Sequence, residues 1–169
     1  MQKEITLNNG VLMPNVGIGT YLLEPQDAEN SVREALQMGY RLIDTANAYR
    51  NERAVGRGMK ASGVKREDIF LSTKLWPSEY ENPHAIEETL ERLQTDYIDL
   101  LFLHQPTKNW RKGYQQLVDA YQKGIIRSIG ISNFEGQYIE DVLKEFDVKP
   151  QVIQVECHPF FPQDELRKI

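Results

Sequence analysis

The sequence predicts an α/β fold of the (β/α)₈ barrel type, present as an N-terminal β-hairpin and the first six strand–helix units. Six short, mostly apolar runs of β type begin about 25 to 30 residues apart, which is the length of one strand plus one crossover helix. Amphipathic helical segments lie between these runs. Strands that are buried on both faces and alternate with helices form a parallel sheet. We therefore interpret residues 1–169 as a single, partial barrel domain.

The first element is a predicted β-hairpin. The apolar runs ITL (5–7) and VLM (11–13) flank NNG (8–10), and Asn-Gly is typical of a tight turn between two strands. This pair lies outside the strand–helix repeat. We therefore expect the hairpin to cap the sheet instead of joining it.

The remaining elements alternate along the chain. The six predicted strands occupy residues 16–19, 40–43, 69–73, 98–103, 126–131 and 152–155. Three helices show apolar residues at helical spacing, over residues 26–38, 83–93 and 110–123. Gly39 and Gly124 are natural stops for the first and third of these, and Asn82-Pro83 is typical of the start of the second.

An open, doubly wound sheet is the alternative architecture. Such a sheet requires a G-x-G-x-x-G after its first strand, whereas GIGTY (17–21) has no third glycine. A barrel usually needs about 250 residues and eight strands, and six strands are found here. Residues 163–169 are interpreted as the first turns of a sixth helix. The sequence thus indicates a barrel that is cut short.

Composition excludes several classes of function. A net charge of −5 and a pI near 5.3 argue against nucleic-acid or anionic-membrane surfaces. The single Cys157 cannot form an internal disulfide and fits a reducing compartment. No signal peptide or transmembrane run is found, and the three histidines lack metal-ligand spacing. We expect a cytoplasmic protein without a metal, monomeric at full length.

Polar side chains lie at or near the carboxyl ends of successive predicted strands. In chain order they are Asp44, Lys74, His104, Ser132, Asn133 and Gln154. Tyr49 follows Asp44 in the next loop. Because all strand ends of a parallel barrel lie on one face, where barrel enzymes have their catalytic sites, we expect these side chains to meet.

The combination of residue types indicates acid catalysis. A free tyrosine titrates near pH 10, so we expect the Lys74 ammonium to lower the pKa of Tyr49. A buried lysine needs a negative partner, and Asp44 is the candidate. His104 then donates a hydrogen bond to a substrate oxygen. Together these groups form a general acid for an oxygen that gains negative charge.

Several motifs resemble the aldo-keto reductase family. They are GYRLIDTA (39–46) with YRNE (49–52), STKLW (72–76), DYIDLL (96–101) leading to HQP (104–106), and IGISNF (129–134). The resemblance runs in order along the whole chain, hairpin included. It is nearest to the bacterial branch that reduces small dicarbonyls and keto-sugar acids, such as 2,5-diketo-gluconate.

The resemblance implies NADPH-dependent reduction of an aldehyde or ketone to an alcohol, with NADH as a possible substitute. The implied catalytic residues are Asp44, Tyr49, Lys74 and His104. The implied cofactor-binding residues are Thr20, Asp44, Ser132, Asn133 and Gln154, and the implied walls of the substrate pocket are Tyr21, Trp76 and His104. The resemblance also implies that the last third of the family's length is absent from this chain, including two strands and the residues that bind the 2′-phosphate and adenine.

Two alternatives stay open. A non-catalytic relative on the same scaffold would use the rim for binding or for a structural role. A barrel aldolase would use Lys74 as a Schiff base and would need no nicotinamide. Cys157 has no evident partner base, and Gln105 stands where many relatives carry tryptophan, which bears on substrate preference.

Overall fold

A parallel sheet of six strands, paired in chain order, organises this computed structural model, which describes residues 3–168. A separate antiparallel hairpin precedes it, formed by β1 (Glu4–Thr6) and β2 (Leu12–Pro14). The parallel strands are β3 (Gly17–Gly19), β4 (Leu42–Asp44), β5 (Phe70–Leu75), β6 (Leu100–Leu103), β7 (Ile129–Ser132) and β8 (Val152–Gln154). The curled sheet and its strand order confirm the predicted fold class.

Within residues 3–168, five α-helices connect the strands. They are α1 (Pro25–Gln37), α2 (Glu52–Ser62), α3 (Ala85–Leu93), α4 (Trp110–Gln122) and α5 (Gln137–Glu145). Short 3₁₀ turns lie at Asn47–Tyr49, Arg66–Asp68, Pro77–Glu79 and Leu166–Lys168. No helix within residues 3–168 is both long enough and apolar enough to cross a bilayer.

The hairpin lies outside the parallel sheet, as predicted. Gly10 adopts φ +86° in its turn, a conformation that suits glycine. The Asn8 and Asn9 side-chain amides donate to the carbonyls of Pro150 (3.2 Å) and Arg127 (3.0 Å). These bonds attach the hairpin to the segments that enter β8 and β7, at the amino-terminal end of the sheet.

Apolar layers cover both faces of the sheet. Leu71 and Leu75 of β5 pack on the helix side, whereas Phe70 and Phe102 form a cluster on the other side. Because side chains alternate along a strand, Lys74 lies on the same face as Phe70. Its carbon chain thereby runs through the interior, and its ammonium comes within 5.9 Å of the Phe102 ring centroid.

Position 130 in β7 must be glycine because the Phe102 ring of β6 packs directly against it. A Cβ at this position would lie 2.2 Å from Cδ1 of Phe102, a ring that is itself only 2% exposed. The ring therefore occupies the space that a side chain on β7 would need. Close packing of this kind keeps the neighbouring strands β6 and β7 in register.

Several boundaries differ from the predicted ones. β6 begins at Leu100, because Ile98 makes only an isolated bridge to Ile126. α3 begins at Ala85 instead of residue 83, because the Asn82 side chain accepts the His84 N–H (3.0 Å) in a turn before the helix. The sixth helix expected from residue 163 onward is a 3₁₀ turn over the part of it that the structure describes.

Candidate active site

The carboxyl ends of the strands bring the predicted polar residues to one rim. Asp44 is the last residue of β4, Lys74 lies one residue before the end of β5, and His104 directly follows β6. Ser132 ends β7 and pairs in register with Gln154, the last residue of β8. The rim therefore follows from the parallel pairing of strands that are far apart in the sequence.

Lys74 and Asp44 form an ion pair at this rim. The Lys74 side chain is 1% exposed, and its Nζ donates to Asp44 Oδ2 (2.5 Å) and to the Thr45 carbonyl (3.0 Å). The Ser72 hydroxyl donates to the other carboxylate oxygen (2.8 Å). Burial lowers the pKa of Lys74, and the negative charge of Asp44 opposes this shift. Asp44 is thus the counter-ion of a buried ammonium.

Tyr49 ends the 3₁₀ turn that follows β4, and its ring lies 5.4 Å from the Lys74 Nζ, measured to the ring centroid. Burial is the main cause that raises the pKa of Tyr49 to about 12, followed by the charge of Asp44 and by Tyr21. The prediction that the pKa of Tyr49 is lowered is wrong, because burial, the Asp44 carboxylate and Tyr21 all raise it. The phenol therefore holds its proton at neutral pH. Within residues 3–168, its hydroxyl has no hydrogen-bond partner.

His104 faces Tyr49 across the rim, with 6.0 Å between the ring centroids. Burial first, and then the charge of Lys74, lowers the pKa of His104 to about 4, while Asp44 acts in the opposite direction. The imidazole is therefore neutral at pH 7. Its Nδ1 is buried, and no partner for it is found in the described part of the chain.

Two further aromatic rings extend this surface. Tyr21 is 65% exposed and lies 5.0 Å from the Tyr49 ring, and Trp76 is 40% exposed and meets His104 edge-on at 5.0 Å. The rings of Tyr21, Tyr49, His104 and Trp76 form a continuous wall, in which each ring contacts the next. The predicted pocket residues are thus neighbours in space.

The residues predicted to bind a cofactor differ in how far their side chains are exposed. Ser132 and Asn133 lie beside His104, and the Asn133 amide donates to the His104 carbonyl (3.1 Å) and to the Ser132 hydroxyl (3.2 Å). The Gln154 side chain is exposed, and none of residues 3–168 forms a hydrogen bond with its amide. Thr20 is fully buried, and its hydroxyl donates to that of Thr45 (2.8 Å).

Asn51 holds the Tyr49 turn against the segment that follows β3. It precedes α2, is 1% exposed, and its amide donates to the carbonyls of Thr20 (2.8 Å) and Leu23 (3.0 Å). Its side chain does not cap its own helix. An asparagine directly before a helix usually caps that helix. The position of Asn51 could therefore be recognised in the sequence, but its actual partners, the two carbonyls, could not.

Glu52 holds the same turn against β5. Its carboxylate accepts hydrogen bonds from the Thr73 hydroxyl and from Nε of Arg92, both at 2.7 Å. Burial raises the pKa of Glu52, and the bonds to Thr73 and Arg92 oppose this shift. Because Thr73 adjoins Lys74, Glu52 links the segment that carries Tyr49 to the strand that carries the lysine.

Two cavities differ in their relation to this rim. One of about 320 Å³ lies inside the curl of the sheet and is lined in part by Asp44, Ser72 and Gln154. A larger cleft of about 870 Å³ lies between α2 and α3 and touches none of the rim residues. Of these two cavities, the smaller one therefore adjoins the rim. Residues 3–168 contain no cluster of three His, Cys, Asp or Glu that could hold a metal ion.

A parallel α/β sheet with an acid, a lysine, a histidine and a tyrosine at the carboxyl ends of its strands has the architecture of a barrel-type enzyme. Residues 15–169 match the sequence profile of the aldo/keto reductase family. The chain belongs to this family.

Its relatives include reductases of small carbonyl compounds. The chain is 44% identical over 172 aligned positions to glyoxal reductase of Bacillus subtilis (strain 168), covering 99% of this chain and 62% of that protein. It is 40% identical over 170 positions to methylglyoxal reductase DkgA of Yersinia pestis, covering 98% of this chain and 61% of that protein. The chain thus spans about three fifths of these curated relatives.

The solved structures agree on the fold. The crystal structure of an aldo/keto reductase from Brucella melitensis superposes with a TM-score of 0.95 at 40% identity, covering 99% of this chain and 66% of that one. An aldo-keto reductase from a deep-sea metagenome library gives a TM-score of 0.93 at 38% identity, covering 97% and 62%. The six strand units therefore have the arrangement that they have in the family's barrels.

Proposed function

We propose that this chain forms the catalytic part of an NADPH-dependent reductase of small aldehydes and ketones, with NADH as the alternative cofactor. One observation carries the proposal: the Tyr49 ring lies 6.0 Å from the neutral His104 ring and 5.4 Å from the ammonium of the buried ion pair, measured from its centroid, and its hydroxyl has no hydrogen-bond partner within residues 3–168. A carbonyl oxygen placed against this wall meets a proton donor and a hydrogen-bond donor together. These are the groups that an oxygen gaining negative charge requires.

His104 orients the substrate in this proposal. Its neutral ring has a buried Nδ1 without a partner, so the proton is assigned to Nε2, which donates to the carbonyl oxygen. A protonated imidazole would place a second positive charge beside Lys74. The lowered pKa of His104 therefore keeps the ring in the form that donates one hydrogen bond and carries no charge.

Tyr49 supplies the proton. Its raised pKa means that the phenol gives up a proton only to a strong base, and an alkoxide formed by reduction of a carbonyl is such a base. The phenolate left behind is stabilised by the Lys74 ammonium, 5.4 Å from the ring centroid. Asp44 keeps that ammonium charged in its buried position.

The rim residues fit the carboxamide of a nicotinamide. Within residues 3–168 the Gln154 side-chain amide has no partner, Ser132 pairs with Gln154 on the neighbouring strand, and the Asn133 N–H donates to the Gln154 carbonyl (2.9 Å). When bound, the reduced nicotinamide supplies the hydride that attacks the carbonyl carbon. Thr20 is fully buried and its hydroxyl bonds that of Thr45, so we assign its side chain to packing.

The substrate class follows from the pocket walls and the relatives. Tyr21 and Trp76 are exposed aromatic rings beside Tyr49 and His104, and none of the described residues that line the interior cavity is basic. Glyoxal and methylglyoxal reductases are among the relatives. We therefore propose a small, uncharged dicarbonyl as substrate. The Schiff-base alternative is disfavoured, because Lys74 is 1% exposed and both bonds of its Nζ hold it in the charged form.

Replacement of Tyr49 by phenylalanine tests the proposal. The rate of methylglyoxal reduction, followed by the loss of NADPH absorbance, should fall about 10²- to 10⁴-fold, because the general acid is removed. NADPH binding, followed by its fluorescence, should not change. Tyr40→Phe is the control, since this phenol lies at the amino-terminal end of β4. A Tyr49→Phe variant that retained the parental rate would show that another group supplies the proton.

A binding protein without catalysis is the second candidate. If the protein only binds its ligand, the folded chain should show no methylglyoxal-dependent loss of NADPH absorbance at any substrate concentration. Turnover by the parent chain, abolished in the Tyr49→Phe variant, would exclude it.

A further inference from the structure

Tyr80 lies beneath the rim and bonds to the residue that follows His104. Its side chain is fully buried, and it comes directly after the 3₁₀ turn Pro77–Glu79. Its hydroxyl donates to the Gln105 carbonyl (2.9 Å) and accepts the Gln105 N–H (3.0 Å). One phenol oxygen thus bonds both polar main-chain groups of a single residue.

The position of the Tyr80 ring is closely defined by α4. A Cβ on Gly113 would lie 2.8 Å from Cγ of the ring, so the helix backbone directly adjoins the ring. The Gln116 side-chain amide also donates to the Tyr80 carbonyl (2.7 Å). The phenol therefore has little freedom to move, and its hydroxyl is a rigid attachment point for Gln105.

The His104 ring, in contrast, forms no hydrogen bond with the described part of the chain. Its Nδ1 is buried and unpartnered within residues 3–168, and the ring meets Tyr49 and Trp76 only through ring contacts. Its direction is therefore set by the main chain around it. The His104 N–H donates to the Leu75 carbonyl (3.0 Å), and the His104 carbonyl accepts the Asn133 amide (3.1 Å).

We infer that Tyr80 is a positioning residue, which holds the peptide between His104 and Gln105 so that the imidazole faces Tyr49. The bond from the Gln105 N–H is the third main-chain attachment around His104, and the one that lies on the side of the helices. The positioning itself is independent of the proposed function. Only its effect on carbonyl reduction rests on that function.

Replacement of Tyr80 by phenylalanine keeps the ring and removes the attachment. The Gln105 carbonyl retains the Thr107 N–H (3.0 Å), whereas the Gln105 N–H loses its partner. Tyr114→Phe is the matched control. Tyr114 is also fully buried and belongs to α4, and its hydroxyl donates to the Val148 carbonyl (3.0 Å), away from the rim.

The readout is the NMR titration of the imidazole in the labelled 169-residue chain. The chain has three histidines, and a His104→Gln spectrum identifies the relevant signal. In Tyr80→Phe we expect that signal to shift and broaden, and the pKa of His104 to rise from about 4 towards 6.5, as the loosened ring becomes hydrated. The groups that face this ring, Lys74, Asp44 and Tyr49, are the same in parent and variants.

Tyr114→Phe should leave the His104 signal and its pKa as in the parent. A parental His104 titration in Tyr80→Phe would overturn the inference and would make Tyr80 a packing residue only. If Tyr80→Phe does not fold, Gln116→Ala takes its place, because it releases the Tyr80 carbonyl without opening the core. A smaller shift in the same direction supports the inference, and an unchanged titration overturns it.

The activity measurement separates the two proposals. In a chain that reduces methylglyoxal, Tyr80→Phe should lower kcat about tenfold with little change in NADPH binding, since one buried hydrogen bond that orients His104 is lost. Tyr114→Phe should retain the parental kcat. A parent chain without turnover would refute the proposed function, while the imidazole titration would still decide the role of Tyr80.

Discussion

Replacement of Asp44 by asparagine leaves the buried Lys74 ammonium without its counter-ion. Asparagine has nearly the same shape and still accepts the Ser72 hydroxyl, so packing is kept and one charge is removed. At 2.5 Å, with an effective dielectric constant of about 20, the lost attraction is about 6 to 7 kcal/mol. Much of this attraction offsets the cost of burying the two charges. The net loss of stability is therefore smaller.

Two limits define that net loss. Removing one partner of a buried pair costs about 3 to 5 kcal/mol. Lys74 can also lose its proton, and neutralising a lysine with a pKa near 10.4 at pH 7 costs about 4.6 kcal/mol, which is the ceiling. Because the Asp44 side chain is 26% exposed, water supplies part of the missing solvation. We expect a loss of about 3 kcal/mol in the free energy of unfolding.

Urea unfolding at several pH values is the assay. In the variant, the pKa of folded Lys74 falls further below its unfolded value, so the unfolded chain binds more protons. Stability should therefore rise with pH from the lowered folded pKa up to about 10.4, more steeply than in the parent. Adding Lys74→Met removes the buried charge and this extra slope. A loss below about 1 kcal/mol with the parental pH profile would refute the buried pair.

Two further predictions concern stability. Gly130→Ala should destabilise the fold by about 1 to 3 kcal/mol in urea unfolding, because its Cβ would lie 2.2 Å from the Phe102 ring. Gly19→Ala, with nothing within 4 Å of the added Cβ, should stay within about 0.5 kcal/mol, and equal losses would contradict the packing argument. The pKa of folded His104, about 4, lies below its ordinary 6.5, so the unfolded chain takes up the proton first and stability falls as the pH drops through this window. His104→Gln should remove this contribution to the fall of stability with pH, as measured by urea midpoints at several acidic pH values. An identical pH dependence in parent and variant would show that the pKa of His104 is not lowered in the folded state.

The rim of the sheet was predictable because two simple patterns define it. The spacing of apolar runs predicts parallel strands, and parallel strands place Asp44, Lys74, His104 and Gln154 at the same end. The hairpin was predictable from its Asn-Gly turn. Both patterns can be read from short stretches of the sequence. The rule that the carboxyl ends of parallel strands lie on one face holds for every barrel of this type.

Hydrogen-bond partners were less predictable, because they depend on residues far apart in the chain. Nothing near Tyr80 indicates that its hydroxyl bonds Gln105, 25 residues away. Asn51 had the position of a helix cap and instead bonds the carbonyl of Thr20. A local pattern gives the residue type, whereas the partner depends on how the loops pack over the strand ends.

The sequence by itself determined the order of the strands, the position of the hairpin and the set of side chains at the rim. Only the tertiary structure decided their chemistry. The Lys74 ammonium was expected to lower the pKa of Tyr49, yet burial and the Asp44 carboxylate raise it. Such a shift is the balance of opposing contributions from solvent exclusion and from charges a few ångströms away, and that balance exists only once the chain has folded.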